Sequence, residues 1–244
     1  MPQPLPAIEI RPLGVDGILV RFARDLTEAA NQRALAFRDH LAALALPGVT
    51  EIASSLVSVR VGFDPGLTNR AAVTAAVKAA SAALTDAVAT PKRRWDIPAA
   101  FGPDHAPQLA EAAALAGVTP EQAVAEIAAQ TVRVIAIGFA PGQPYLGMLP
   151  DHWNIPRQTA LTARMPKGAL VTAVRQLIIF AADAPTGWRH IGQTAFQVYR
   201  PDAPDPFPLS PGDAVRFCPV SDSEFVAIRQ NTDTNGGARC TVLS

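Results

Sequence analysis

Residues 132–150 read VRVIAIGFAPGQPYLGMLP, and the change of pattern inside this stretch sets the reading of the whole chain. Val132–Ile137 is a short apolar run of strand length. The thirteen residues after it hold three glycines (Gly138, Gly142, Gly147) and three prolines (Pro141, Pro144, Pro150). Such a segment specifies an irregular backbone that is held at low entropy cost. From here onward short apolar runs alternate with Pro and Gly: Ala169–Val174, Leu177–Ala182, Phe196–Tyr199, Val215–Cys218 and Phe225–Ile228. Twelve of the 23 prolines lie from Pro141 on, mostly between these runs, which predicts an all-β barrel or sandwich. Asn231–Arg239 reads as a mobile tail.

Working back from residue 132, the pattern is different. Thr119 and Gln122 form a capping box with Pro120 at the first helical position, and Pro107–Ala116 precedes it as another short helix ended by Gly117. The cations Lys92, Arg93 and Arg94 follow Pro91 and place a domain boundary near residue 92. Before it, Ile18, Val20 and Phe22 alternate as a strand. Thr27 caps a helix through Leu46, with Ala30, Ala34, Phe37, Leu41 and Leu44 on one stripe, and Pro47-Gly48 stops it. Val49–Ile52 and Val57–Phe63 read as strands. Thr68 opens a second helix with Val73, Val77, Ala80, Leu84 and Val88 on one side, and Trp95–Pro98 reads as a last strand. The expected layout is an α+β domain over residues 1–92 in the ferredoxin-like order β-α-β-β-α-β. A mostly-β domain over 93–244 follows, preceded by two short helices.

Composition narrows the function. The chain has 244 residues, with 21 Lys+Arg against 21 Asp+Glu, so it lacks the basic excess of a general phosphate-backbone binder. Nucleic acid is not an expected partner. No apolar run reaches the length of a membrane span, and the opening residues are not a secretory signal, so a cytoplasmic location without membrane insertion is expected. Cys218 and Cys240 sit in no C-x-x-C or Cys/His cluster, so they read as free thiols, and no metal is expected.

Three segments carry polar chemistry. The glycine loop after residue 137 is either a ligand loop or a structural turn between strands. Trp188, Arg189 and His190 bring together an indole, a guanidinium and an imidazole. Trp188 stacks on a ligand or plugs the barrel, and alternation along a strand sends Arg189 and His190 to opposite faces. Arg157 and Lys167 add positive charge to the same half. Gln176 lies between apolar neighbours and needs a backbone partner or a pocket. There is no Gly-x-Ser-x-Gly elbow, no His-Glu-x-x-His and no nucleophilic cysteine context. A chain without a self-contained catalytic set either borrows residues from a partner or regulates one.

The segment Gly138–Pro150 resembles the G-F-x-P-G-F-x-Y-L-G-x-L loop of the allophanate hydrolase subunit 1 family, which includes the B-type subunit of bacterial 5-oxoprolinase and the kinase inhibitor KipI. The likeness continues in order through Leu46-Pro47-Gly48-Val49, Phe63-Asp64-Pro65, Pro156-Arg157, Pro166-Lys167-Gly168, Gly187-Trp188 with Ile191-Gly192, and Pro211–Phe217. It also extends to half of the carboxyltransferase domain of urea carboxylase. The resemblance implies a cyclophilin-like β-barrel in the C-terminal domain. It implies a heteromeric partner, the subunit 2 or KipA-like protein, and ATP bound with or by that partner. The implied activity is ATP-dependent opening of 5-oxoproline or a related cyclic amide. The implied pocket is lined by Gly138, Phe139, Pro141, Gly142, Tyr145, Gly147, Arg157, Gln176 and Trp188, with His190 as a general acid. Gln143 replaces the family's usual Phe, Gln193 its usual Arg, and Ile127 a common His. These losses leave room for a KipI-like inhibitor that docks on a sensor histidine kinase. A carboxyl-transfer half-domain whose biotin comes from another chain is a third reading.

Overall fold

The computed structural model describes residues 8–84, 90–231 and 233–243. The chain divides into two compact units, Met1–Thr90 and Pro91–Ser244.

In the first unit, β1 (Glu9–Leu13), β2 (Gly17–Arg21), β3 (Val49–Ser55) and β4 (Ser58–Phe63) form an antiparallel sheet in the order β1-β2-β4-β3. Helices α1 (Glu28–Ala43) and α2 (Arg70–Ala82) pack their apolar stripes on it, Phe37, Leu41, Val73 and Val77 against Ile18, Val20, Val59 and Val61. The Thr27 hydroxyl and the Asn69 carboxamide oxygen cap the two helices, each accepting from a backbone N–H three residues on. The ferredoxin-like expectation needs correction in its last strand. Residues 95–98 are not part of this sheet, and the edge beside β2 is filled by the N-terminal strand β1. Leu44 lies past the end of α1 and is exposed. Val88 lies outside the described residues.

The second unit is a closed barrel. Its seven strands are β5 (Arg93–Ala100), β6 (Val132–Ile137), β7 (Pro144–Gly147), β9 (Ala169–Ala173), β10 (Gln176–Ile179), β12 (Arg189–Gln193) and β13 (Ala214–Val220). They run in the order β12-β9-β10-β7-β6-β13-β5, and the pair Gln193–Ala100 returns β5 to β12. All neighbours are antiparallel except β5 and β13. A last strand, β14 (Arg239–Val242), pairs with β5 from outside the ring, and β8 (Thr162–Met165) with β11 (Ala184–Thr186) makes a separate ribbon. Helices α3 (Leu109–Ala116) and α4 (Pro120–Ala129) share one core with the barrel, through Ala112, Ala113 and Ile127 alongside Ile97, Leu146, Leu170, Leu177 and Phe217. Asp213 is almost fully buried and accepts both ends of the Arg93 guanidinium, which ties the start of β13 to the start of β5.

Three sequence expectations change here. Phe225–Ile228 is helical, within α5 (Asp222–Gln230), whose N-terminus has a Ser221/Glu224 capping box. Phe196–Tyr199 is not a strand. It is an irregular segment that buries Phe196 and Val198 and takes a bond from the Gln197 N–H to the Thr234 carbonyl. The stretch read as a mobile tail includes Ala238, which joins the barrel core, and Gly236, which lies against Ala195 so closely that a Cβ would sit 2.3 Å from its carbonyl carbon.

Candidate functional site

The candidate site lies on the outside of the barrel wall. Leu146, Leu170 and Leu177 point into the core, so their neighbours point out. Tyr145 faces Ile178, Ile178 faces Val171, and Val171 faces His190, which makes one row across β7, β10, β9 and β12. Ile178, Val171, Phe180 and Met165 form an apolar patch on this outer face, and Trp188 lies on it, only 4% exposed. The Trp188 ring meets Tyr145 edge to face at 6.2 Å. The Arg157 guanidinium lies 5.1 Å over the Trp188 ring centre. Trp188 is thus both a plug on the patch and the platform for a cation.

These groups wall a cleft of about 210 Å³, with Gln143, Phe180, Leu161 and Thr186 also lining it. Phe139 stands at its mouth, 76% exposed, with a positive φ of 72°. Arg157 forms no ion pair among the described residues, so its donors are uncommitted. Gln143 is 2% exposed and its Oε1 accepts from the Ala181 N–H at 3.3 Å. Its amide nitrogen has no hydrogen-bond partner among the described residues. The cleft therefore offers one cation, one spare carboxamide N–H pair, the Tyr145 and Thr186 hydroxyls and aromatic walls. Among the described residues, no Asp, Glu or His lines it.

Residues 8–209 match the family model for the carboxyltransferase domain, subdomain C and D. The chain belongs to this family. Over 235 residues it is 25% identical to the B-type subunit of 5-oxoprolinase from Bacillus subtilis (strain 168), covering 92% of this chain and 98% of that protein. The match to the B-type subunit of 5-oxoprolinase from Escherichia coli O157:H7 is 33% identical over 135 residues, 55% of this chain and 62% of that one. Among solved structures, TTHA0988 superposes with a TM-score of 0.73 at 29% identity, over 87% of this chain and 41% of that one.

Within this carboxyltransferase-domain chain, the expected pocket residues separate into two groups. Phe139, Tyr145, Arg157 and Trp188 meet at the cleft, whereas Gly138, Pro141, Gly142, Gly147, Gln176 and His190 do not line it. Gly142 has a packing role: at φ +72° a Cβ would lie 2.2 Å from the Val198 carbonyl oxygen. Gln176 pairs with Gly147, one pleat along β10 from Ile178. His190 closes the cross-strand row at the far end, three strand spacings or about 14 Å from Tyr145. Its ring is buried, its Nε2 has no partner among the described residues, and burial lowers its pKa, partly opposed by hydrogen bonds to Gln193 and Gly192. It is therefore not the cleft's acid.

Of the groups that hold Arg157 in place, Gln108, Glu111 and Gln158 were absent from the sequence expectations. Gln158 donates its backbone N–H to the Gly187 carbonyl at 2.7 Å and its side-chain amide to the Trp188 carbonyl at 3.0 Å. The Gln158 carboxamide oxygen accepts from Gln108 at 2.7 Å. On the other side of Arg157, the Pro156 carbonyl accepts from Arg189, whose Nε is bonded to Glu111 at 2.8 Å. Arg189 thus faces α3 as a clamp on the loop and does not enter the cleft. The one local sign was the series of polar side chains Gln108, Glu111 and Gln158 near apolar segments.

Proposed function

We propose that this chain is the B-type subunit of a 5-oxoprolinase-like complex and that the Arg157 cleft holds a small cyclic amide bearing a carboxylate. The relatives' names support the complex. The observation that carries the cleft assignment is a free guanidinium, stacked on Trp188, beside a spare amide donor in a wall whose described residues include no Asp, Glu or His. A carboxylate takes the Arg157 fork in two parallel bonds. The flat amide ring lies against the aromatic wall, and its carbonyl accepts from Gln143 or Thr186.

This chain's residues bind and orient; they do not move a proton within the cleft. Ring opening breaks the amide C–N bond: water supplies the hydroxyl to the acyl carbon, a proton goes to the released nitrogen, and the activating phosphoryl group taken from ATP leaves as phosphate. The activating phosphoryl group and the general acid and base then come from partner subunits of the subunit 2 type.

The test is reconstitution with the cognate partner subunits and measurement of 5-oxoproline-dependent ATP turnover. Turnover is expected only from the full complex, with Arg157→Gln raising KM about ten- to a hundredfold and leaving assembly intact. A full complex with no amide-dependent turnover refutes the proposal. Lowered autophosphorylation of a histidine kinase by the isolated chain would replace it with the inhibitor reading.

A further inference from the structure

A second groove of about 510 Å³ opens on the same unit and shares no lining residue with the Arg157 cleft. Its walls are the Lys167–Gly168 turn, the end of β12 with Thr194, the irregular segment through Gln197, and the C-terminal end of α5.

The floor is rigid by construction. The Gly168 N–H donates to the Phe180 carbonyl and the Thr194 N–H donates to the Gly168 carbonyl, both at 2.8 Å. Gly168 has a φ of +80°, and a Cβ there would lie 2.4 Å from the Thr194 carbonyl oxygen, so the two turns are pressed together. The Lys167 backbone is also fixed, its N–H on Asp183 and its carbonyl accepting from the Gln193 side chain.

What remains unsatisfied faces a positive groove. The Lys167 ammonium has one acceptor among the described residues, the Gln197 carboxamide oxygen at 3.2 Å, for three N–H donors. Arg229 is stacked over the Phe225 ring at 5.9 Å and has no ion-pair partner among the described residues. The carboxylate of Asp233 is the only acidic group lining the groove among the described residues, and it accepts from the Asn235 N–H.

We propose that this groove is a second ligand site, for a small anion bearing a carboxylate or phosphate, with Lys167 and Arg229 as its charge partners. The volume is within the range of small-molecule sites. The assignment stands apart from the reading of the Arg157 cleft.

The test is a backbone-amide NMR titration of the full chain with inorganic phosphate and, separately, with glutarate, at constant ionic strength. At least one probe is expected to give saturable shifts at Gly168, Thr194, Gln197 and Arg229. Which probe does so tells phosphate from carboxylate. Lys167→Gln and Arg229→Gln are each expected to weaken binding about tenfold. Arg157→Gln is expected to leave it unchanged. Linear, non-saturating shifts with both probes overturn the proposal, as do equal affinities in wild type and both groove variants. Shifts confined to residues around Arg157 also overturn it, while leaving the cleft reading intact.

Discussion

Gln158→Ala tests whether the Arg157 loop is held by the contacts described above. The substitution removes two side-chain hydrogen bonds, to the Trp188 carbonyl at 3.0 Å and from the Gln108 amide at 2.7 Å. Each is worth about 0.5–1.5 kcal/mol net, and the Trp188 carbonyl loses its donor in a buried segment, so the expected loss is about 2 kcal/mol. For a unit of this size that corresponds to a fall in Tm of about 4–8 °C. The loop keeps its backbone bond from Gln158 to Gly187, so it loosens without detaching. All three tryptophans, Trp95, Trp153 and Trp188, lie in the Pro91–Ser244 unit, so urea unfolding followed by tryptophan fluorescence reports that unit alone. Pairing with Gln108→Ala in a double-mutant cycle should give a coupling of about 0.5–1.5 kcal/mol. The Arg157 guanidinium carbon lies over the Trp188 ring, so the side-chain proton resonances of Arg157 should lose part of their ring-current shift in Gln158→Ala. A stability loss under about 0.5 kcal/mol with no coupling, or an unmoved Arg157 proton, would refute the positioning argument.

Gly142→Ala should cost about 3 kcal/mol or more, because the Cβ meets the Val198 carbonyl at 2.2 Å and the backbone is left-handed. Gly138→Ala, where a Cβ has nothing within 4 Å, should stay within about 0.5 kcal/mol, and equal effects of the two in urea unfolding would count against the structure. Burial lowers the His190 pKa below the ordinary 6.5, so the unfolded chain binds the proton more tightly. His190 thus contributes stability that is fully present above about pH 6.5 and is lost as pH falls from there toward its folded-state pKa. Urea midpoints measured between pH 7.5 and 5.5 should show this fall, and His190→Gln should flatten it; an unchanged slope would assign the effect elsewhere.

The elements were legible where the signal was local. The stripe of α1, the caps at Thr27 and Thr119, and the apolar runs of β6, β9 and β10 each declare themselves within a few residues. Strand type was also legible at Trp95–Pro98, but its sheet was not. Its parallel partner, β13, lies about 120 residues later, and nothing in either segment specifies the pairing. Phe225–Ile228 was misread because four apolar residues fit a buried strand and a helix face equally well. Ser221 and Glu224, three apart, were the available sign of a helix start. The short strand Pro144–Gly147 was hidden inside a loop rich in Gly and Pro.

The candidate site divides in the same way. Sequence alone singled out the glycine loop, Arg157 and Trp188 as residue types suited to an anion. Only the tertiary structure decided that Arg157 stacks on Trp188, thirty-one positions away, and that Gln143 supplies the spare amide. It also moved His190 to the far end of the wall and turned Arg189 into a clamp on the loop. Periodicity and capping depend on neighbours within one turn or one pleat, so the order of residues determines them. The meeting of two loops depends on how seven strands close into a ring and in which register. That is a property of the whole packed unit, to which no single segment holds the instruction.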